Sequence, residues 1–436
     1  MEFALETLQN IAEAIVRMLM QPFFYIAILF VFLQYRRQVT MERKLFHVRM
    51  HAWSSQIWRT LLGGIAAGIA VSIAFVFLGI SLSPAGMICI WAVALVLLLF
   101  RVRYLCLAYS IGILGIIRFI LGFFPALESG VPAWLGVVVQ TVRELDIPAL
   151  LALVALLHLA EALLVRYQGA RFAGPLFFAG KRGKLIGGYQ MQGLWPVPLF
   201  MTIPAQTAGT VLPWTPFFGG DAWLGGWAMI AFPVVIGFSE MTQSRLPQEK
   251  ARVSSSRLLA YGAVVLALAV GAELWSPLAI VAAVAALALH EGLTWYSGKE
   301  EAARSPLFVH DSRGLRILAV LPSGPAKDMG IRAGETIHKV NGVRVRTKEE
   351  LHQALRMNSA FCKLEVLDLA GESKFLQRAI YAGDHHQLGV VLAPDQDAAY
   401  YAETRQVSLL GMIKVKIGGL AAGSGRKRQD ETETLQ

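Results

Sequence analysis

His158 and Glu161 stand three residues apart inside a long apolar run, and His290 and Glu291 stand side by side inside another. An imidazole and a carboxylate one helical turn apart can pass a proton, hold a cation, or bond across helices where water is scarce. Zinc proteolysis asks for more, namely His-Glu-x-x-His, with two imidazoles on one helix face and the carboxylate as base. Here His290-Glu291 runs into Gly292, Leu293 and Thr294, and His158 has no second imidazole one turn away. The ligand spacing for an intramembrane protease therefore fails. Two readings stay open: polar adhesion between helices, worth about 0.6–2 kcal/mol per bond, and solute translocation by a transporter, whose sites lie at mid-membrane among broken helices. Counted from the outer ends of their helices, His158 and His290 fall at similar depth, ~16–20 Å in. His158, Glu161, His290 and Glu291 are thus expected as one intramembrane polar cluster.

Beyond these pairs the sequence offers little for catalysis. Cys89 and Cys106 fall in apolar runs and Cys362 in the polar C-terminal part, without the spacing of a disulfide framework or a zinc site. His47, His51, His385 and His386 are not at ligand spacing either. No Ser/His/Asp set, phosphate-binding loop or dinucleotide fingerprint is present. No enzymatic activity, no metal and no cofactor are expected.

The elements that must hold the pairs are membrane helices. Of the 436 residues, 55% are hydrophobic and 16% charged, against roughly 45–50% and 25% in soluble domains. Nearly all long uncharged runs precede Ser297. A crossing needs ~20 mostly apolar residues, and candidates are 15–35, 61–80, Pro84–Phe100, 104–124, 147–165, 195–212, 223–239, 258–275 and 277–295. Pro196, Pro198 and Pro204 break the sixth; Gly225, Gly226 and Pro233 weaken the seventh. Those two can instead be a re-entrant or interfacial pair. The fold expected over residues 1–296 is a polytopic α-helical transmembrane bundle of about 7–9 spans. A linker (297–306), a small mixed α/β domain (307–394) and an extension with a disordered tail (395–436) follow.

Charge sets the orientation. The net charge is +10 with pI ≈ 9.6, but Lys and Arg sit in short loops between apolar runs rather than in any nucleic-acid module. Arg36, Arg37, Arg43, Lys44, Arg49 and Arg59 face a lone Glu42, and Arg166, Arg171, Lys181, Arg182 and Lys184 face no acid. Arg101 and Arg103 flank the third run, Arg245, Lys250, Arg252 and Arg257 follow the seventh, and the opposing loops (81–83, 125–146 and 213–222) carry Arg143 alone. The positive-inside rule then puts the C-terminal domain in the cytoplasm, whether or not the sixth and seventh runs cross. The bilayer is the first partner, nucleic acid is not one, and self-association is left open.

After Ser297 the pattern changes to short strands. Leu307, Phe308 and Val309 form a brief apolar run and 315–321 a buried strand; Gly324-Pro325-Ala326 opens a helix ending at Gly330. Gly334-Glu335 turns into a strand over Thr336–Val340, closed by the hairpin dipeptide Asn341-Gly342. Thr347 and Glu350 make a capping box for a helix to about Met357, and two strands, Phe361–Leu367 and 373–380, complete the series. The motifs Gly324-Pro325-Ala326, Gly330 to Glu335 and Val340-Asn341-Gly342 resemble bacterial PDZ domains. The resemblance implies a module that accepts an extended peptide as an added strand. The groove would lie between Leu307-Phe308-Val309 and a helix presenting Leu351 and Leu355, although at helical spacing those leucines can equally be core. The family's carboxylate-holding loop is not evident before Leu307, and Leu388-Gly389-Val390-Val391 reads as a closing strand.

The whole layout resembles the MinJ family of Gram-positive spore-formers, carried by Pro22-Phe23-Phe24-Tyr25, by Glu42-Arg43-Lys44-Leu45-Phe46-His47 and by the PDZ motifs. That resemblance implies a non-enzymatic scaffold of cell division that selects the septum site. Its cytosolic partners would be a DivIVA-like polar protein and a MinD-like division inhibitor, bridged at septa and poles.

Overall fold

The computed structural model describes residues 2–180, 183–204, 212–219, 223, 226–358, 360–379, 381 and 388–396. The expected tail beyond 396, and with it His385 and His386, lies outside them.

Seven helices come first: α1 (Glu2–Met20), α2 (Pro22–Phe46), α3 (Trp53–Leu78), α4 (Pro84–Phe100), α5 (Leu107–Leu121), α6 (Ala133–Glu144) and α7 (Ile147–Gln168). Strands β1 (Ala173–Ala179), β2 (Leu185–Pro204) and β3 (Trp227–Thr242) follow, then helices α8 (Pro247–Leu274) and α9 (Leu278–Ala303). The first expected span does not run straight through 15–35. Pro22 cannot donate to the preceding turn, so the helix breaks there and α1 and α2 meet at 57°. Four helices, α3, α7, α8 and α9, are long and apolar enough to cross a membrane, or five counting the bent pair as one. The α4 and α5 helices are apolar but shorter, at 17 and 15 residues.

The sixth and seventh expected spans are corrected outright, because 195–212 and 223–239 hold no helix among their described residues but the long strands β2 and β3. These pair antiparallel from Tyr189↔Thr242 to Pro204↔Trp227. The period is two: Trp195, Val197, Leu199 and Met201 are all fully buried. Pro196 and Pro198, fatal to a helix, fit the edge of β2 that no strand covers among the described residues, since neither has an N–H to leave unpaired. The next N–H on that edge, Phe200, donates to Ser72 Oγ of α3 at 2.8 Å. Gly64 and Gly68 of α3 lie directly against the carbonyls of Pro196 and Pro198, so the helix packs on bare strand backbone.

The first expected basic loop is held both to itself and to the end of α7. Buried Glu42 accepts the Met50 and His51 N–H groups at 3.0 and 3.2 Å and faces His51 Nδ1 at 2.5 Å, which staples the loop after α2. Gln168, at the end of α7, donates to the Arg59 carbonyl at 3.4 Å.

The C-terminal domain contains β4 (Leu315–Val320), α10 (Pro325–Asp328), β5 (Thr336–Val340), β6 (Val343–Arg344), α11 (Lys348–Arg356), β7 (Phe361–Leu367), β8 (Ser373–Ala379) and β9 (Val390–Leu392). Its sheet runs β8-β7-β5-β4-β9, with β6 paired to β5. The capping box of Thr347 and Glu350 is formed. Asn341 (φ 50°) and Gly342 (φ 85°) make the left-handed hairpin turn. The Asn341 side chain also donates to the Ala354 carbonyl at 2.8 Å and accepts the Lys363 N–H at 2.9 Å, binding the hairpin to α11 and β7.

This domain is seated on the body rather than tethered to it. Most of the expected linker is helix, since α9 runs on to Ala303. The Phe308 carbonyl accepts the Gly187 N–H at 2.9 Å, and the Gln243 carbonyl accepts the Leu307 N–H at 2.8 Å. Phe308 is fully buried against the Tyr189 ring, 5.4 Å between centroids, and the Tyr189 hydroxyl donates to the Leu318 carbonyl. Gln396 bonds the Leu185 backbone in both directions.

His310 sits beside this junction. Its Nδ1 accepts the Arg316 N–H at 3.0 Å, its Nε2 faces Asp395 at 3.6 Å, and Lys348 and Asp311 are its other charged neighbours. Burial holds its pKa below the ordinary histidine value, despite the pull of Asp395 in the other direction. The unfolded chain takes up this proton near pH 6.5 (about the free histidine value) while the folded chain resists it. The unfolded state therefore binds more protons, and stability present above that pH is lost as pH falls below it. Thermal unfolding of the full chain should be less favourable to the fold at about pH 5.5 than at about pH 7.5. Part of that slope should vanish in His310→Asn, and an identical slope in both chains would refute the assignment.

Candidate functional site

The residues expected to face each other across a peptide groove do not do so. Leu307 and Val309 pack with the body, Val309 against Leu176, Phe178 and Ile186. Leu351 and Leu355 lie in the core of the C-terminal domain. That core also holds Leu388, Val390 and Leu392, just before and within β9, along with residues of β4, β5 and β7. Lys348 at the start of α11 pairs with Asp395 just past β9 at 2.7 Å.

The motif glycines explain how β9 is placed. Leu388 (φ 60°) and Gly389 (φ 72°) turn the chain left-handedly into the strand. A Cβ on Gly389 would lie 2.7 Å from the Gly324 Cα, so the Gly324-Pro325-Ala326 turn packs bare on this loop. The Leu388 carbonyl accepts the Ala326 N–H and the Gly389 carbonyl accepts the Leu321 N–H, both at 2.8 Å. Gly330 (φ 73°) and Gly334 (φ 89°) make the turns on either side of Ile331. The Gly389 carbonyl and the Ala393 N–H both bond inward, to Leu321 and to Arg316. By strand alternation, Val390 and Leu392 then direct their N–H and C=O groups outward. Among the described residues β9 pairs only with β4 and β8 only with β7, so each leaves an edge without a strand partner, and that of β9 is the one joined to α11 by the Lys348–Asp395 pair. The sequence carried the signal in Leu388-Gly389-Val390-Val391, but its role depends on pairing with β4, some seventy positions earlier in the chain, which no local pattern reveals.

The second assembly is the His/Glu cluster expected within the membrane. The rings of His158 on α7 and His290 on α9 lie 5.2 Å apart, with Tyr261 of α8 edge-on to both at 4.8 and 5.6 Å. Cys106, just before α5, places its Sγ 3.3 Å from His158 Nε2 and 3.6 Å from His290 Nε2. Glu161 stays beside His158, 4.0 Å from Nε2. Glu291 turns aside to Arg103 and accepts the Tyr109 hydroxyl proton at 2.8 Å. Cys106, Tyr109, Tyr261 and Arg103 were not expected here, because each comes from a different part of the chain than the His/Glu pairs.

A third network joins β3, α8 and α9 under the domain junction. Lys250, 2% exposed, donates to Ser297 Oγ at 2.8 Å and faces Glu240 at 3.1 Å and Glu301 at 3.8 Å. Ser254 donates to Glu240 at 2.6 Å, while Glu301 accepts the Gln243 and Ser244 N–H groups at 2.6 and 2.7 Å.

Comparison with known proteins bears on both halves of the chain. Residues 316–367 match the PDZ domain family. The chain is 31% identical over 364 residues to the "Cell division topological determinant MinJ" of Bacillus subtilis (strain 168), covering 82% of this chain and 88% of that protein. It is 24% identical over 371 residues to the "Probable cell division topological determinant MinJ" of Lacticaseibacillus paracasei, covering 82% and 91%. No solved structure matches.

Proposed function

The chain belongs to the MinJ family of cell division topological determinants, and from that premise we propose that it is a non-enzymatic, multi-pass membrane scaffold docking cytosolic division proteins through its PDZ domain. The observation that carries this reading is the outward edge of β9, beside α11, on a domain fixed to an apolar helical body. Counting α1–α2 as one crossing, with α3, α4, α5, α7, α8 and α9, the bundle has seven, an odd number. The hairpin of β2 and β3 returns to the side it left. The basic loops and the PDZ domain then share the cytoplasmic face. The partners we assign are a DivIVA-like polar protein and a MinD-like inhibitor, gathered at septa and poles so that division falls at mid-cell.

The test is a pair of variants at one edge position. Leu392→Pro removes one outward N–H. Because the same change deletes a core side chain, Leu392→Ala, which loses the packing and keeps the N–H, is the control that should retain the partners. A fluorescent fusion of the wild-type chain should gather at septa and poles and co-purify with the two partners. The proline variant should remain in the membrane, lose at least one partner, and misplace septa. Uniform membrane fluorescence of the wild type, or full partner recovery with the proline variant, would refute the proposal.

A further inference from the structure

The hydrogen-bond arithmetic around Cys106 does not close with protons alone. The His158 Nδ1 lies 2.7 Å from the Val154 carbonyl, which only accepts, so Nδ1 carries the proton and Nε2 presents a lone pair. The Tyr109 hydroxyl spends its proton on Glu291, so it accepts from His290 Nδ1 at 3.1 Å. That leaves His290 Nε2 as a second lone pair. Both lone pairs converge on one thiol, whose single proton can satisfy only one of them.

We propose that Cys106, His158 and His290 form a binding site for a thiophilic divalent cation, with Zn2+ the natural occupant. A thiolate and two neutral imidazoles are the donor set such an ion selects. With Zn–S near 2.3 Å and Zn–N near 2.0–2.1 Å, ligands on one tetrahedral ion sit roughly 3.3–3.6 Å apart. The two sulfur–nitrogen separations are 3.3 and 3.6 Å, and all three ligand atoms lie within 4.8 Å of one another. Each imidazole is oriented through its other nitrogen, one by a backbone carbonyl and one by a tyrosine backed by a carboxylate, as metal-bound histidines usually are. Glu161 offers a fourth donor beside His158. A thiolate and a carboxylate would together cancel the two charges of the ion, which suits an apolar setting. The ion would bind three segments, the start of α5, α7 and α9, that share no local sequence. An expectation of no metal drawn from ligand spacing excludes only sites built from neighbouring residues.

The experiment uses the full chain purified in detergent and stripped with a chelator, with Co2+ as a spectroscopic probe and Zn2+ as competitor. Wild type should bind one Co2+ per chain with a thiolate-to-cobalt charge-transfer band, and Zn2+ should displace it. Cys106→Ser should abolish the band, while Cys362→Ser should keep it. Tyr109→Phe should weaken binding by roughly 10–100-fold, the usual cost of losing an outer-shell partner. His290→Gln, checked for a monodisperse elution profile, should bind far more weakly than wild type. A titration without one-to-one saturation would overturn the site. So would a band that survives Cys106→Ser, or wild-type affinity in folded His290→Gln.

Discussion

Replacing Lys250 by alanine should destabilise the full chain by about 3–5 kcal/mol, the usual cost of removing one partner from a buried ion pair. The ammonium is almost inaccessible and stands between two carboxylates from different elements, Glu240 of β3 and Glu301 of α9. Without it Glu240 retains the Ser254 and Ser297 hydroxyls, which cannot neutralise it. Glu301 keeps its backbone donors from the turn after β3, but now carries an uncompensated charge at the junction. The loss should therefore appear as a lowered unfolding temperature in detergent and as faster proteolysis around 243–246, where that turn would loosen. Lys250→Ala with Glu240→Gln should recover much of the loss, because the second change removes the orphaned charge. If Lys250→Ala melts like wild type, the network is not a stabilising joint. If the double variant is no better than the single one, the loss comes from packing rather than charge.

How much could be read beforehand differs between the two halves of the chain. In the PDZ domain, local rules carry far: Thr336–Val340 and Phe361–Leu367 coincide with strands, and the capping box and Asn-Gly turn are where short-range chemistry puts them. Which strand borders the groove was not legible there. The run at Leu307 and the run at Val390 are equally apolar, and only the pairing of β9 with β4 decides. In the apolar half, composition alone cannot separate a buried strand from a span. Trp195 to Pro204 has the hydrophobicity of a helix and the period of a strand, and Pro196 with Pro198 is the local sign that the period governs. His158 and His290 could be paired by their expected depth alone. Cys106 could not, because its place in the cluster follows from how α5, α7 and α9 pack.

The contact that replaces the two missing helices yields the second large effect. Gly64→Leu should destabilise the body by about 1–3 kcal/mol or more, as overpacking of a close contact does. A Cβ at position 64 would stand 2.0 Å from the Pro196 carbonyl oxygen, which is backbone held in register by β3 and cannot swing aside. The helix must then back away from β2, and the bond from the Phe200 N–H to Ser72 Oγ stretches with it. Among the described residues that N–H has no strand on its side of the sheet, so a half-buried donor is left unsatisfied, adding about 1 kcal/mol or more. Gly68→Leu, 2.4 Å from the Pro198 carbonyl, should behave alike. The matched control is Gly292→Leu on α9, where an added Cβ meets nothing within 4 Å. In a helical reading of 195–212, residues 196 and 198 would project in divergent directions, so one stripe of α3 could not touch both carbonyls. Equal unfolding temperatures for Gly64→Leu and Gly292→Leu would remove the strand-on-helix contact, whereas a large drop confined to positions 64 and 68 requires it.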